Sequence, residues 1–269
     1  MKRLMISCAT FIFLSGAFWF EALFAPDAEP WSKWEKHAPG SIARIDHSDW
    51  DLVLKPYIRL GPDGVNRFAY SRLSAEDATQ LHRYIDRLAA ISISQFSQHE
   101  QLAYWINLYN ALTTQAVAAH YPVASIREIN LGGGGFGDGP WEKKLVAVVG
   151  EELSLNDIEH RILRPIWRDP RIHYAVNCAS IGCPNLRRSA YEGDTVNRGL
   201  ESAARNYVKN PRGVSIQAGD LVVSSLYVWF RPDFGDSDGT LIAHLRRYAR
   251  PTLKSALDGR ETITATIGV

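Results

Sequence analysis

The chain predicts an α+β fold, a single domain of helices packed on short antiparallel strands, and three observations predict it. Helical stretches opened by capping residues alternate with short hairpin patterns. No βαβ rhythm repeats, which argues against a parallel doubly wound sheet. The composition, 46% hydrophobic and 22% charged over 269 residues, is that of a globular protein able to bury a core.

The N-terminus divides the chain. Lys2 and Arg3 precede an uncharged run from Leu4 to Phe20, long for a signal-peptide core and short for a full membrane span. Residues 1–25 therefore read as a signal peptide or an N-terminal membrane anchor, 26–45 as a tether, and 46–269 as the globular domain. Export to the periplasm, or attachment to the inner membrane through residues 4–20, is the expected location. Net charge is +1 and the basic residues are scattered, so no nucleic-acid partner is expected.

Within the domain, Asp46 or Ser48 caps a helix from Asp49 to about Leu60, and Gly61 to Gly64 is a turn before a strand at Val65 to Tyr70. Ser74 caps the next helix, to about Ala90. Ser97 to Glu100 forms a capping box for a helix reaching His120, ahead of Pro122. Gly132 to Gly139 is a glycine-rich loop without the Lys-Ser/Thr of a phosphate-binding loop, with Phe136 and Trp141 as lid candidates or plain surface residues. A hairpin turns at Gly150, Ser154 to Asp157 caps a helix that Pro165 kinks or ends, and Ile172 to Asn177 is a strand candidate. Asp194 to Lys209 is helical, a second hairpin crosses Ala218 to Asp220, and Thr240 to Ala249 is the last helix.

Two constellations can carry chemistry. Between Gln101 and Ile126 there is no Lys, Arg, Asp or Glu. The helix there has a polar, uncharged seam, with Glu100, Asn107 and Asn110 opposite an apolar face. Such a seam suits either ligand binding or the holding of loop backbone, because buried amides must be hydrogen-bonded. The second constellation runs from His173 to Pro184 and contains Cys178 and Cys183, the two cysteines outside the leader, which itself holds Cys8. A catalytic thiolate needs a nearby base, and His173 or His160 can supply it, with Glu159 as the orienting group. A Cys178–Cys183 disulfide and inert buried thiols are the competing readings. On a strand, His173 and Cys178 would lie on opposite faces. The spacing of His173, Cys178 and Cys183 is not that of a common zinc motif, so neither metal nor cofactor is expected.

Four motifs together resemble the domain-of-unknown-function 547 family. They are Tyr104-Trp-Ile-Asn-Leu-Tyr-Asn-Ala111, Leu153-Ser-Leu-Asn-Asp-Ile-Glu-His-Arg-Ile-Leu-Arg164, His173-Tyr-Ala-Val-Asn-Cys-Ala-Ser-Ile-Gly-Cys-Pro184 and Ser225-Leu-Tyr-Val-Trp-Phe-Arg-Pro-Asp-Phe234. The likeness covers roughly Asp46 to Arg250. It implies an exported bacterial member, and a fold-level relationship to papain-like or transglutaminase-like thiol hydrolases. Such hydrolases place Cys before His; here only His244 follows Cys183, so a thiol mechanism needs a permuted order.

Three functions follow. The first is a thiol-dependent hydrolase or transferase on an amide, peptide or thiol substrate, with Cys178 or Cys183 as nucleophile and Asn107 or Asn110 as oxyanion donor. The second is a non-catalytic envelope domain that binds or scaffolds a peptide or small molecule. The third is thiol–disulfide exchange, although Cys-x-x-x-x-Cys differs from the usual Cys-x-x-Cys of that chemistry.

Overall fold

The computed structural model describes residues 26–129 and 139–269. The leader, and the glycine loop with Phe136, lie outside the described residues. Helix α1 (Ser48–Tyr57) starts where the Asp46 carboxylate accepts the Ser48 N–H at 2.8 Å. It stops before the expected end at Leu60. β1 (Ile58–Leu60) instead pairs antiparallel with β2 (Asn66–Phe68) across the Gly61–Gly64 turn. Ser74 caps α2 (Ala75–Ala89) by accepting the Asp77 N–H. Ser97 caps α3 (Gln98–His120), but only half of the expected capping box forms: the Glu100 carboxylate turns to the Ile45 N–H at 3.4 Å.

Helix α3 is buried on all sides from Glu100 to Thr114. Its lack of charges follows from this, since an ionised side chain there would lose its hydration. α2, the Asp157–Leu163 helix and α5 (Val196–Val208) surround it. The hairpin of β3 (Val146–Val148) and β4 (Glu151–Leu153) turns at Val149 and Gly150, both with positive φ. β5 (Val214–Gln217), β6 (Asp220–Ser224) and β7 (Ala265–Ile267) make the third sheet, with β7 parallel to β6. Helices α6 (Asp238–Tyr248) and α7 (Pro251–Leu257) close a second apolar cluster around Tyr174, Tyr207, Tyr227 and Phe234. Among the described residues, every sheet has two or three strands, and the architecture is a single α+β domain.

Helix α4 departs most from regular geometry. It is a π-helix over Asp157–Leu163 that continues as an α-turn, Arg164–Trp167. Ser154 opens it by accepting the Asp157 N–H at 3.1 Å, and the Asp157 carboxylate accepts the Ser154 N–H at 2.8 Å. Proline has no N–H to donate and crowds the preceding turn, so Pro165 cannot close the α-helical ladder. The wider turn answers this: the Arg164 N–H reaches back five residues to the Glu159 carbonyl. The His160 and Arg161 carbonyls then accept the Glu29 N–H at 3.0 Å and the Trp31 N–H at 3.1 Å.

These bonds lay the segment expected as a tether against the domain. Trp34 is buried edge-on to Trp105, with ring centroids 5.1 Å apart, and Ile45 and His47 are buried as well. Trp31 and Trp34 both pack on the domain, with Arg161 stacked over Trp31.

The strand expected at Ile172 to Asn177 does not form. A 3-10 helix, Pro170–Tyr174, takes its place, with Asp169 Oδ1 accepting the Arg171 N–H at 2.9 Å. A short apolar run has no periodicity to separate a buried strand from a buried helical turn, and among the described residues no strand pairs with it. The opposite-face argument for His173 and Cys178 falls with the strand.

Candidate functional site

The helical geometry brings Glu159, His160 and Arg164 from α4 together with His173 from the 3-10 helix and Asp233 from the short helix Arg231–Phe234. Arg164 makes a bidentate pair with Asp233, Nε to Oδ2 at 2.6 Å and Nη2 to Oδ1 at 3.3 Å. Its Nη1 donates to the Pro26 carbonyl at 2.6 Å and faces His160 Nδ1 at 3.0 Å. His173 Nε2 meets Asp233 Oδ2 at 2.6 Å. Its Nδ1 is buried without a hydrogen bond, and the nearest carboxylate oxygen, Glu159 Oε1, lies at ion-pair distance, 3.6 Å. The His173 ring stacks on Phe230 with centroids 4.3 Å apart, and Arg164 lies over the same ring.

The charges balance along this chain. Burial opposes the imidazolium of His173, but Asp233 and Glu159 outweigh it and raise its pKa. Burial likewise opposes ionised Glu159, yet His160, His173 and Arg164 pull its pKa down to about 2. Asp233 is held well below the carboxylate range against burial, by His173 and Arg164. Burial drives His160 down to about 4, and Arg164 adds to this against the pull of Glu159, so His160 is a neutral acceptor toward Arg164 at neutral pH.

The arrangement is a buried latch tying α4, the 3-10 helix, the Arg231–Phe234 turn and residue 26 together. The His173 side chain is 1% exposed, so no substrate reaches it here. Of the residues expected to act as bases, His160 is engaged by Arg164, and His173 is held between carboxylates. Glu159 serves that latch rather than a thiol. Cys178 and Cys183 are joined in a disulfide, so neither sulfur is a thiolate in this state, and of the three readings of the cysteines the structure has the bonded pair. Tyr207 Oη donates to the Gly182 carbonyl inside the bridged loop at 2.7 Å, and Arg212 Nη1 to that of Ile181 at 3.1 Å.

The expected ligand-binding residues also have backbone partners. Asn107 exchanges two hydrogen bonds with Tyr191, Nδ2 to the carbonyl at 2.8 Å and the N–H to Oδ1 at 2.9 Å. Asn110 donates to the Ala175 carbonyl at 2.9 Å and accepts the Asn177 N–H at 2.9 Å, holding the approach to Cys178. Glu100 is buried against Gly193, where an added Cβ would lie 2.5 Å from its Oε1. All three residues hold backbone. Trp141, expected as a lid residue, packs on the main core.

Arg164 and Asp233 belong to the centre of this network but were not among the sequence candidates. The signal was faint: Arg164 closes one of the four motifs and Asp233 is the penultimate residue of another, but nothing in an Arg and an Asp 69 residues apart announces a pair. Among the described residues, no three His, Cys, Asp or Glu side chains converge to hold a metal.

Comparison with protein families gives a match over part of the chain. Residues 93–208 match the model of the family described as "Protein of unknown function, DUF547". The matched span runs from the turn before α3 to the end of α5, so it contains Glu159, His160, Arg164, His173 and both bridged cysteines, but not Asp233. Comparison with curated proteins and with solved structures gives no match.

Proposed function

We propose that the chain is a non-catalytic binding or scaffold domain of the cell envelope, exported and either released or held by residues 4–20. One observation carries this reading: among the described residues, both cysteines and both candidate bases are engaged in the fold. The cysteines bond to each other, His173 lies buried between Asp233 and Glu159, and His160 faces Arg164. The basic flank at Lys2 and Arg3, the uncharged run behind it, and a disulfide suited to an oxidising compartment support the location.

The reading is tested with an activated ester, p-nitrophenyl acetate, which acylates exposed nucleophilic thiols. The expected result is no burst of p-nitrophenolate beyond that of the Cys178→Ser/Cys183→Ser variant. A stoichiometric burst that the variant loses would establish a reactive thiol and overturn the proposal. Thiol–disulfide exchange is a second reading, favoured by the half-exposed position of Cys178. It requires that a small dithiol open the bond in the folded protein.

A further inference from the structure

A concave face of about 870 Å³ lies between the outer side of α5 and the link joining α6 to α7, on a different surface from the buried latch. Its cations come from three separate stretches of chain: Arg171 from the 3-10 helix; Arg198, Arg205 and Lys209 along α5 and its C-cap; and Arg250 from the link. Among the described residues, Glu201 is the one acidic residue that lines it, and it is already paired with Arg205 at 2.6 Å and Arg171 at 3.8 Å. The whole chain carries 30 basic and 29 acidic residues. Gathering five of the cations here with one acid leaves the rest of the molecule net negative. Glu201 sits between Arg198 and Arg205 on the helix and takes only Arg205 and Arg171 as partners, so positive charge stays in excess across the face.

The groove is also partly preorganised. Asp169 holds Arg171 through a two-pronged pair, and Asn197 Oδ1 accepts from the same guanidinium at 3.0 Å. Among the described residues, Arg198, Lys209 and Arg250 are exposed and have no ion-pair partner. Asn197, Ser202 and Asn206 add neutral hydrogen-bonding groups between the cations. Arg198 and Lys209 lie eleven residues apart, about 16 Å along the helix axis, so the cations form a row rather than a point.

We infer that this groove binds a ligand presenting several phosphate groups in a row, either a soluble oligophosphate or adjacent phospholipid headgroups. The inference rests on the binding reading above and names its ligand chemistry. Guanidinium groups match phosphate oxygens in charge and donor geometry, and a row of them selects for repeated charge. The one aromatic residue in the groove, Tyr248, is only 3% exposed between α5 and the arginines. It offers no free ring for a base to stack on, which separates this groove from single-stranded nucleic-acid channels.

The test uses the full chain, with inorganic tripolyphosphate as the soluble probe and vesicles of phosphatidylglycerol, against phosphatidylcholine alone, as the membrane probe. The Arg198→Glu/Arg250→Glu variant removes two unpaired groove cations. Arg72→Glu/Arg83→Glu makes the same change in net charge on exposed positions outside the groove. Calorimetry and vesicle sedimentation read binding, and thermal unfolding verifies that both variants fold. The groove pair should weaken binding by about tenfold or more, while the control pair changes it little. Binding of tripolyphosphate identifies a soluble source, and binding of phosphatidylglycerol vesicles alone identifies the headgroup; either supports the inference when the groove pair abolishes it. Equal losses in both pairs, or no binding of either probe, would overturn it. That failure would leave the ester result untouched, so the two proposals fail separately.

Discussion

Asn107 and Asn110 show how a residue type can be legible while its partner is not. Uncharged amides on a helix without ions had to satisfy buried hydrogen-bonding groups, and sequence alone left both ligand and backbone open as partners. The backbone segments they hold, at Tyr191 and at Ala175 to Asn177, arrive from more than sixty residues away. Replacing Asn107 with Ala strands the Tyr191 N–H and carbonyl in the interior and should cost about 3 kcal/mol in denaturant unfolding. Asp233→Asn weakens the pairs to Arg164 and His173 together and should cost a similar amount, about 3 kcal/mol. A loss below about 1 kcal/mol in either variant would contradict these roles.

The buried imidazoles give stability a pH dependence. Burial first, with Arg87 beside His47, Arg164 beside His160 and Arg247 beside His244, pushes each of the three from 6.5 to about 4. The unfolded chain takes up these protons below pH 6.5 while the folded chain refuses them, so this stability is full above 6.5 and is lost as pH falls toward 4. His173 has the opposite sign: its raised pKa favours the fold below 6.5 and ceases to do so as pH rises through its folded value. Urea midpoints should therefore fall between pH 6.5 and 4, and His160→Gln should flatten that slope. A midpoint independent of pH over this interval would count against the protonation states described here.

At the scale of elements, caps and turns were the legible part. Ser74, Ser97 and Ser154 each open the helix expected of them, and the hairpins at Gly150 and Gly219 form as the turn residues require. Pro165 was recognisable as a disturbance, but not its consequence, because the released carbonyls are taken up by residues 29 and 31, far away in sequence. The same bonds make residues 26–45 part of the domain. Trp34→Ala should leave a cavity beside Trp105 and cost about 3 kcal/mol or more. A chain beginning at residue 46 should unfold at lower temperature and with less cooperativity; an unchanged transition would show that the N-terminal segment is only a tether.

For the whole molecule, charge was the quantity the linear order concealed. Arg171, Arg198, Arg205, Lys209 and Arg250 look scattered along the chain, and the packing of α5 beside the 3-10 helix and α6 gathers them into one groove. The cysteines follow the same pattern: their spacing allowed nucleophile, bridge or buried thiol, and folding closed the bridge. Because that bridge spans a short loop, opening it should cost about 2 kcal/mol by the chain-entropy relation, so the protein should remain folded under reductant.

The redox state of Cys178 and Cys183 decides between a structural bridge and a reactive thiol. The protein is purified without reductant, alkylated across a pH series and mapped by mass spectrometry. The bridged structure predicts one Cys178–Cys183 cross-linked peptide and no alkylation of either residue at any pH below unfolding. A free thiol at either position that alkylates well below pH about 8.5, the value of an unperturbed cysteine, would contradict it and restore a catalytic reading.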